Sequence, residues 1–282
     1  METKPVLNIA AYRFVSVDRL PERREALQVL CHNLALKGSI LLSSEGINLF
    51  LAGSKSAITA FMDYLHQDPL FAELDMASTQ YKQSWSESQP FNRMLVKLKQ
   101  EIIPLGMPEI QPALHTAPTL SPHTLKEWLD NQRDFILLDT RNDYEVRLGT
   151  FEKATTLDGL EHFRDFPMAC IHQLPEEVKQ KPLVMFCTGG IRCEKASVAL
   201  EQQGYQEVYQ LEGGILNYFE QCGGAHYRGD CFVFDKRVAL DPHLEETAAI
   251  LCYNCQNPLL PAEQQSPDYV IEVSCPYCVN KP

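Results

Sequence analysis

The first hundred residues alternate between runs with strand-like and helix-like spacing of apolar positions. Residues 6–15 are rich in apolar and aromatic side chains and predict a strand. Pro21 suits the first turn of a following helix, in which apolar side chains recur at helical spacing. Two short apolar runs, 39–43 and 47–52, flank a turn at Glu45-Gly46 and predict a hairpin.

A second helix is predicted over residues 56–66, and two further strands near 76–82 and 93–99. Through the strand near 76–82 the order is strand, helix, strand, strand, helix, strand, and the strand near 93–99 follows it. This order is typical of the ferredoxin-like α+β sandwich, in which the helices cover one face of an antiparallel sheet. We therefore expect residues 1–103 to form a ferredoxin-like domain.

Prolines become frequent after residue 101. Five of them fall within residues 101–122, namely Pro104, Pro108, Pro112, Pro118 and Pro122. Proline breaks helices and removes a hydrogen-bond donor from strands, so neither a long helix nor a central strand is expected there. The pattern predicts a linker over residues 104–120.

Residues 121–222 alternate short apolar runs with helical segments. A helix is predicted over 122–131, and strands over 135–139, 154–157, 183–186 and 207–211. Alternation of this kind predicts a parallel sheet with helices on both faces. Sites in such sheets lie beyond the carboxyl ends of the strands, where Asp139, Arg141 and Cys187 fall.

The segment Cys187-Thr-Gly-Gly-Ile-Arg192 follows the predicted strand 183–186, and a helix is predicted from Glu194 to Gln203. A glycine-rich turn before a helix directs successive N–H groups inward and favours an anion at its centre. The natural anion is the Cys187 thiolate, with Arg192 closing the loop and the pKa lowered from about 8.5. We expect a charged sulfur that is exposed to a partner. The alternative is a cysteine that merely fills space at the end of a strand.

This loop resembles the active loop of rhodanese-type sulfurtransferases, in which the first cysteine carries a persulfide and the arginine closes a six-residue cradle. The longer run Cys-Thr-Gly-Gly-Ile-Arg-Cys-Glu-Lys-Ala-Ser, residues 187–197, resembles a narrower family, the rhodanese-related tRNA uridine(34) hydroxylases. Members of that family use O2 to convert the wobble uridine to 5-hydroxyuridine. The resemblance implies that Thr188, Gly189, Gly190 and Ile191 supply the loop backbone.

The resemblance to the rhodanese pattern extends over about 100 residues, through the segments 139–146, 149–151 and 211–215. By analogy Asp139 and Arg141 brace the active loop, whereas the alternative makes them a strand-end cap and a surface ion pair. Thr150 stands where the family often has histidine, and we interpret this as a variation in packing. Cys193 belongs to the family signature and is a candidate resolving or sulfur-carrying thiol.

The hydroxylase resemblance reaches beyond the loop on both sides. In the N-terminal domain it covers Ser44-Glu-Gly-Ile-Asn48 and residues 94–99. In the tail, residues 223–282, the run 228–240 is similar to the pattern Gly-x-x-Phe-Val-Phe-Asp-x-Arg of the same family. The implied substrate is therefore tRNA at its anticodon loop.

Two Cys-x-x-Cys pairs stand in the tail, with 19 residues between them: Cys252, Cys255, Cys275 and Cys278. Each pair can hold one ion from a single turn, and two pairs complete a tetrahedron. Four sulfur ligands favour zinc, with iron second, and leave no open position, so the expected role is structural. The alternative is that the two pairs occur by chance and hold no metal ion. Cys222 and Cys231 are interpreted as spare thiols.

Composition limits the setting without deciding the function. The chain has ten cysteines, no apolar run of membrane length and no signal-like start, which favours a reducing cytoplasm. Net charge is −12, but residues 1–100 hold 11 basic and 10 acidic residues, leaving 14 and 27 for the remainder. The acidity weakens an RNA hypothesis without excluding it, since phosphate contacts depend on local clusters. No flavin, haem or open iron site is evident.

The N-terminal domain offers a candidate RNA surface of aromatic and cationic side chains, although half-buried sheet positions are the alternative. Its members are Tyr12, Arg13, Tyr81, Lys82, Trp85, Arg93, Lys97 and Lys99.

Three other functions compete with the hydroxylase: a sulfurtransferase acting on a small or protein acceptor, a dual-specificity phosphatase and a zinc-bearing interaction module. A phosphatase needs one more residue between the cysteine and the arginine, so the loop length argues against it.

Overall fold

A computed structural model describes residues 5–74 and 80–280. The N-terminal region forms β1 (Val6–Phe14), α1 (Leu20–Asn33), β2 (Lys37–Ser43), β3 (Gly46–Gly53), α2 (Lys55–His66), β4 (Tyr81–Ser86) and β5 (Met94–Leu98). Ser54 caps α2 by accepting a hydrogen bond from the N–H of Ala57. Pro21 lies in the first turn of α1 as predicted.

These strands form one sheet in the order β4-β1-β3-β2-β5, antiparallel except for the parallel pair β2–β5. The first four follow the predicted ferredoxin-like order, which is confirmed, and β5 adds a further edge. The strand predicted over 76–82 was placed too early, since the described strand is Tyr81–Ser86. Residues 76–79 of that prediction lie outside the described residues.

The two faces of this sheet have different surroundings. Leu7, Ile9, Ile47 and Leu49 point to the helices and form the domain core. The opposite face carries the alternate positions Asn8, Ala10, Tyr12, Ser39, Asn48 and Phe50, and it faces the second domain. The predicted RNA surface is therefore wrong for Tyr12 and Tyr81, which are only 7% and 6% exposed.

The central region forms a second, parallel sheet with helices on both faces, as predicted. Its elements are β6 (Thr119–Leu120), α3 (Pro122–Asp130), β7 (Ile136–Asp139), α4 (Asp143–Leu148), β8 (Gly149–Phe151), β9 (Ala154–Thr155), α5 (Phe166–Gln173), β10 (Leu183–Phe186), α6 (Ile191–Gln202), β11 (Val208–Leu211) and α7 (Gly214–Cys222). Short 3-10 helices cover Phe163–Asp165 and Glu176–Gln180. The strand order is β6-β11-β10-β7-β9, so β10 lies at the centre.

The proline-rich segment follows an irregular path along the second domain. Leu105, Ile110 and Ala117 pack into its core. The segment ends in β6, a two-residue edge strand that pairs with β11. No helix forms within it, as the prolines predict.

The tail is built from short paired strands and turns: β12 (Tyr227–Gly229), β13 (Cys231–Phe232), β14 (Ala239–Leu240), β15 (Ile250–Leu251) and β16 (Pro258–Leu259), with a 3-10 turn at Glu263–Gln265. β12 pairs with β8 of the central domain. Arg147 of α4 also joins the two parts, because it donates to the carbonyl of Pro258 at 2.7 Å and lies over the Tyr277 ring. None of the helices in the described ranges combines the length and the apolar character needed to span a membrane.

Lys195 connects the N-terminal region to the central domain. Its Nζ lies 2.8 Å from Glu45 Oε2 and 2.6 Å from Glu101 Oε2, while the side chain itself is 1% exposed. A buried ammonium group requires such partners, because desolvating an unpaired charge costs several kcal/mol. Lys195 follows the active loop on α6, so this contact positions the N-terminal domain beside that loop.

We predict that Lys195→Met lowers the free energy of unfolding by about 2–4 kcal/mol, because two carboxylates lose a buried partner. Urea unfolding of the full chain measures the change. The matched control is Lys179→Met, which removes an exposed pair with Glu176 and should cost less than about 1 kcal/mol. Equal losses in the two variants would contradict the role of Lys195 at the domain junction.

Candidate active site

Cys187 follows directly on the central strand β10, and the loop ends in the first turn of α6. Gly190 is the N-cap residue, with φ of 97°, and the helix begins at Ile191. The predicted start at Glu194 was therefore late. Glycine allows this early start, because the left-handed conformation at residue 190 strains other residues. Ile191 and Arg192 consequently belong to the helix, and their N–H groups lie at its positive end.

The Cys187 sulfur accepts several hydrogen bonds. The N–H of Gly190 donates to Sγ at 3.1 Å, and the N–H of Arg192 and the thiol of Cys193 donate as well. Burial by itself would raise the pKa of Cys187, but these donors and the Arg192 charge lower it to about 6. The pKa of Cys193 is raised, first by its own burial and then by the neighbouring Cys187, so Cys193 stays a thiol and donates.

Arg192 closes the loop but does not present a free charge. Its Nη1 and Nη2 atoms donate to the two carboxylate oxygens of Glu145, both at 2.6 Å. Glu145 is fully buried and also accepts from Thr188 Oγ1 at 3.5 Å. This bidentate pair fixes the guanidinium in one orientation beside the sulfur.

The outer side of the loop is held by the start of α7. The N–H groups of Ile215 and Leu216 donate to the carbonyls of Cys187 and Thr188, at 2.9 and 3.1 Å. A Cβ on Gly214 would lie 2.5 Å from the Cys187 carbonyl oxygen, so only glycine permits this approach. With the carbonyls turned outward, the N–H groups of the loop are free to face the sulfur.

Asp139 and Arg141 lie beneath the loop and bond mainly to each other and to β8. Arg141 donates from Nη2 to Asp139 Oδ2 at 2.7 Å and to the Gly149 carbonyl at 2.6 Å, and Thr150 Oγ1 donates to Asp139 at 2.8 Å. Both charged side chains are fully buried, so the alternative of a surface ion pair is wrong. Thr150, interpreted as a packing variation, is a hydrogen-bonding partner of Asp139.

Cys187 is only 1% exposed, which contradicts the expectation of a sulfur open to solvent. The residue lies instead on the wall of a cavity of about 480 Å³ between the two domains. Thr188, Gly189, Ile191 and Arg192 line the same cavity, and the N-terminal sheet covers it. Phe234 of the tail also reaches it, so three parts of the chain enclose the sulfur. The cavity therefore provides a route by which a reagent can reach the thiol.

The four tail cysteines form a separate site. The sulfur atoms of Cys252, Cys255, Cys275 and Cys278 lie within 4.8 Å of one another, and none is in a disulfide. Neighbouring sulfurs are 3.5, 3.7 and 4.0 Å apart. A tetrahedron with metal–sulfur bonds of about 2.3 Å has edges of about 3.8 Å, so the cluster fits a four-thiolate metal centre.

Sequence reasoning missed Glu145 as a site residue, although a signal was present. Asn142 and Glu145 form a capping box at the start of α4, and that pattern is readable from their spacing. For Asn48 and Phe234, which line the cavity, the sequence showed only that they belong to the family-like segments 44–48 and 228–240. Asn48 and Phe234 come from strands and turns far from Cys187 in sequence, and only the tertiary structure brings them to one cavity.

We predict that the rate at which iodoacetamide alkylates Cys187 rises with a midpoint near pH 6, because the thiolate is the nucleophile. Mass spectrometry of the modified peptide gives the rate at each pH. Cys222, whose pKa is raised by burial, serves as the internal control and should still be slow at neutral pH. A Cys187 midpoint above that of Cys222 would contradict the stabilised thiolate.

Two family models match this chain in separate regions. Residues 6–102 match the UPF0176 acylphosphatase like domain, and residues 121–221 match the rhodanese-like domain. Among solved structures, a rhodanese-like domain from Anabaena is 21% identical and covers 40% of this chain and 79% of its own, with a TM-score of 0.34. A human single-domain sulfurtransferase is 22% identical, with 37% and 97% covered and a TM-score of 0.31.

Curated relatives match over almost the full length. A protein of Cupriavidus necator named tRNA uridine(34) hydroxylase is 50% identical over 98% of this chain and 97% of its own. A protein of Burkholderia vietnamiensis with the same name is 50% identical over 98% of each chain. Identity at this level extends through the N-terminal domain, the thiolate loop and the cysteine tail together. The chain belongs to the tRNA uridine(34) hydroxylase family.

Proposed function

We propose that this protein hydroxylates the wobble uridine of tRNA, position 34, to 5-hydroxyuridine, with O2 as co-substrate and Cys187 as the essential thiol. The observation that carries the proposal is the full-length match to proteins named tRNA uridine(34) hydroxylase, at 50% identity. The cavity at Cys187 supports it independently, because an activated sulfur there is enclosed beside space for a ligand.

The roles of the loop residues follow from their contacts. Cys187 is the nucleophilic or redox-active sulfur, and the N–H groups of Gly190 and Arg192 hold it as an anion. Arg192 supplies positive charge and Glu145 orients it. Cys193 is a candidate resolving thiol, since it already donates a hydrogen bond to Cys187. Asp139 and Arg141 support the site through β8 at the end of β7.

A sulfurtransferase acting on a small molecule is not favoured. Simple rhodaneses need only a rhodanese domain, whereas here the N-terminal sheet and Phe234 of the tail cover the thiol. Lys195 holds this cover in place by pairing with Glu45 and Glu101. Tyr12 adds a hydrogen bond from its hydroxyl group to Glu194. A site that is assembled from three parts of the chain suits a larger substrate with a reactive portion that enters the cavity.

The anticodon loop of tRNA is the proposed partner. Exposed cations remain on the N-terminal edge, at Arg93, Lys97 and Lys99, and Arg164 is exposed at the cavity wall. Among the described residues Arg164 forms no ion pair, so it is available for a phosphate. A tRNA substrate also implies that the protein works in the cytoplasm.

We assign zinc to the four-cysteine cluster. The set of four thiolates at tetrahedral separations suits zinc better than metals that prefer oxygen or nitrogen ligands. All four positions are taken by protein, so the ion would stabilise the tail and take no part in the reaction. A bound ion would link the turn at residues 252–255 to the turn at residues 275–278.

We predict that Cys187→Ser abolishes 5-hydroxyuridine in tRNA from cells that carry the variant as their only copy, because a hydroxyl group does not form the anion. Nucleoside mass spectrometry measures the modification. Cys222→Ser, which changes a thiol outside the cavity, should leave it at the wild-type level. Modification that persists in Cys187→Ser would refute the role of this sulfur.

We predict about one zinc ion per chain, released when the thiols are blocked with a mercurial. Cys275→Ala should remove most of the bound metal, and it should lower the melting temperature, because the tail then lacks its tetrahedral anchor. Elemental analysis of protein purified under reducing conditions measures the metal, and Cys222→Ala is the control. A metal content that does not change in Cys275→Ala would rule out the four-thiolate site.

A further inference from the structure

The cavity wall opposite the active loop contains a buried amide with a free acceptor. Asn48 of β3 is 6% exposed and lines the cavity together with Cys187. Its Nδ2 donates to the carbonyl of Ile102 at 3.1 Å. In the described part of the chain, no hydrogen bond reaches its Oδ1. Because Asn48 lines the cavity, this oxygen is available to accept a hydrogen bond from a ligand there.

The contact with Ile102 also fixes which way the amide points. A backbone carbonyl only accepts hydrogen bonds, so the group next to it must be the NH2 of Asn48 and the oxygen must point elsewhere. Asn48 can therefore offer its Oδ1 as an acceptor to a ligand in the cavity. Ile102 itself is held by its N–H, which donates to Glu45 Oε1 at 2.6 Å.

A large aromatic surface lies in the same cavity. Phe234 is 48% exposed and its ring centroid lies 6.4 Å from that of Phe50, while the Arg192 guanidinium carbon lies 5.9 Å from it. Exposed aromatic rings stack on nucleic-acid bases and tolerate any base, because every base has a π-face. Stacking on Phe234 would strengthen the binding of any base, whereas a hydrogen bond to Asn48 would favour particular bases.

We propose that the cavity takes one flipped-out uracil base, that Asn48 Oδ1 accepts the hydrogen bond of its N3–H, and that Phe234 stacks on the ring. The inference rests on the proposed function and identifies how the base is selected. Uracil has a hydrogen on N3 whereas cytosine has a lone pair there, so an acceptor at this point favours uracil. N3 and C5 lie on different edges of the ring, so one can contact the N-terminal wall while the other faces Cys187.

The assignment gives a role to two motifs outside the loop. In Ser44-Glu-Gly-Ile-Asn48, Glu45 binds Lys195 at 2.8 Å and Asn48 reaches the cavity. In the tail, Arg237 is paired with Asp235 and donates to Ser84 Oγ at 2.7 Å, which ties the turn that carries Phe234 to the N-terminal sheet. Both motifs therefore combine a contact between domains with a side chain in the cavity.

The test measures binding of the full chain to three anticodon stem-loop RNAs that differ only at position 34: uridine, cytidine and N3-methyluridine. Fluorescence polarisation gives the dissociation constants. We expect wild-type protein to prefer uridine over each of the other two by about tenfold, the effect of one buried hydrogen bond. In Asn48→Leu the preference should fall to about twofold or less.

Two variants separate selection from general binding. Asn33→Leu makes the same change at the exposed end of α1 and should keep the wild-type preference. Phe234→Ala should weaken binding of all three RNAs by a similar factor and keep their ratio, because stacking does not distinguish the bases.

The comparison of uridine with N3-methyluridine in wild-type protein needs no variant, so it holds even if Asn48→Leu folds poorly. Equal affinity for these two RNAs, or an unchanged preference in a folded Asn48→Leu protein, would overturn the assignment while leaving the hydroxylase proposal intact. Failure of wild-type protein to bind any of the three RNAs would instead argue against the proposed function itself.

Discussion

A buried sulfur anion is the constraint on which the rest of the site depends. Removing a charge from water costs several kcal/mol unless hydrogen-bond donors and an opposite charge replace the solvent. The loop meets this requirement with the N–H groups of Gly190 and Arg192, the thiol of Cys193 and the guanidinium of Arg192. These donors must themselves be held in position, so the neighbouring residues form ion pairs and hydrogen bonds with the loop. Glu145 holds the guanidinium, and the start of α7 holds the loop carbonyls.

The enclosure of the site comes from regions that are distant in sequence. One face of the N-terminal sheet packs on the helices of its own domain. The other face lines the cavity, whereas in an isolated domain it would be exposed to solvent. The contacts that hold this arrangement are largely ionic or polar: Lys195 with two carboxylates, Tyr12 with Glu194 at 3.2 Å, and Arg237 with Ser84. Such contacts depend strongly on geometry, so they favour one relative placement of the domains.

The features that sequence predicted best are those that depend on neighbours in the chain. The active loop, the strand that precedes it and the pairs of cysteines in the tail each have a local pattern, and they form as expected. The helix start at Ile191 was missed, because the N-cap depends on the backbone conformation that Gly190 adopts. The burial of Tyr12 and the convergence of Asn48 with Phe234 depend on contacts between domains, which no periodicity records.

The six-residue helix α4 connects two sites that do not touch each other. Glu145, near its start, orients the arginine next to the reactive sulfur, and Arg147, two residues later, is inserted into the cysteine tail against Pro258 and Tyr277. The packing of the tail and the orientation of the guanidinium beside Cys187 therefore depend on the same six residues, so a substitution within this helix bears on both.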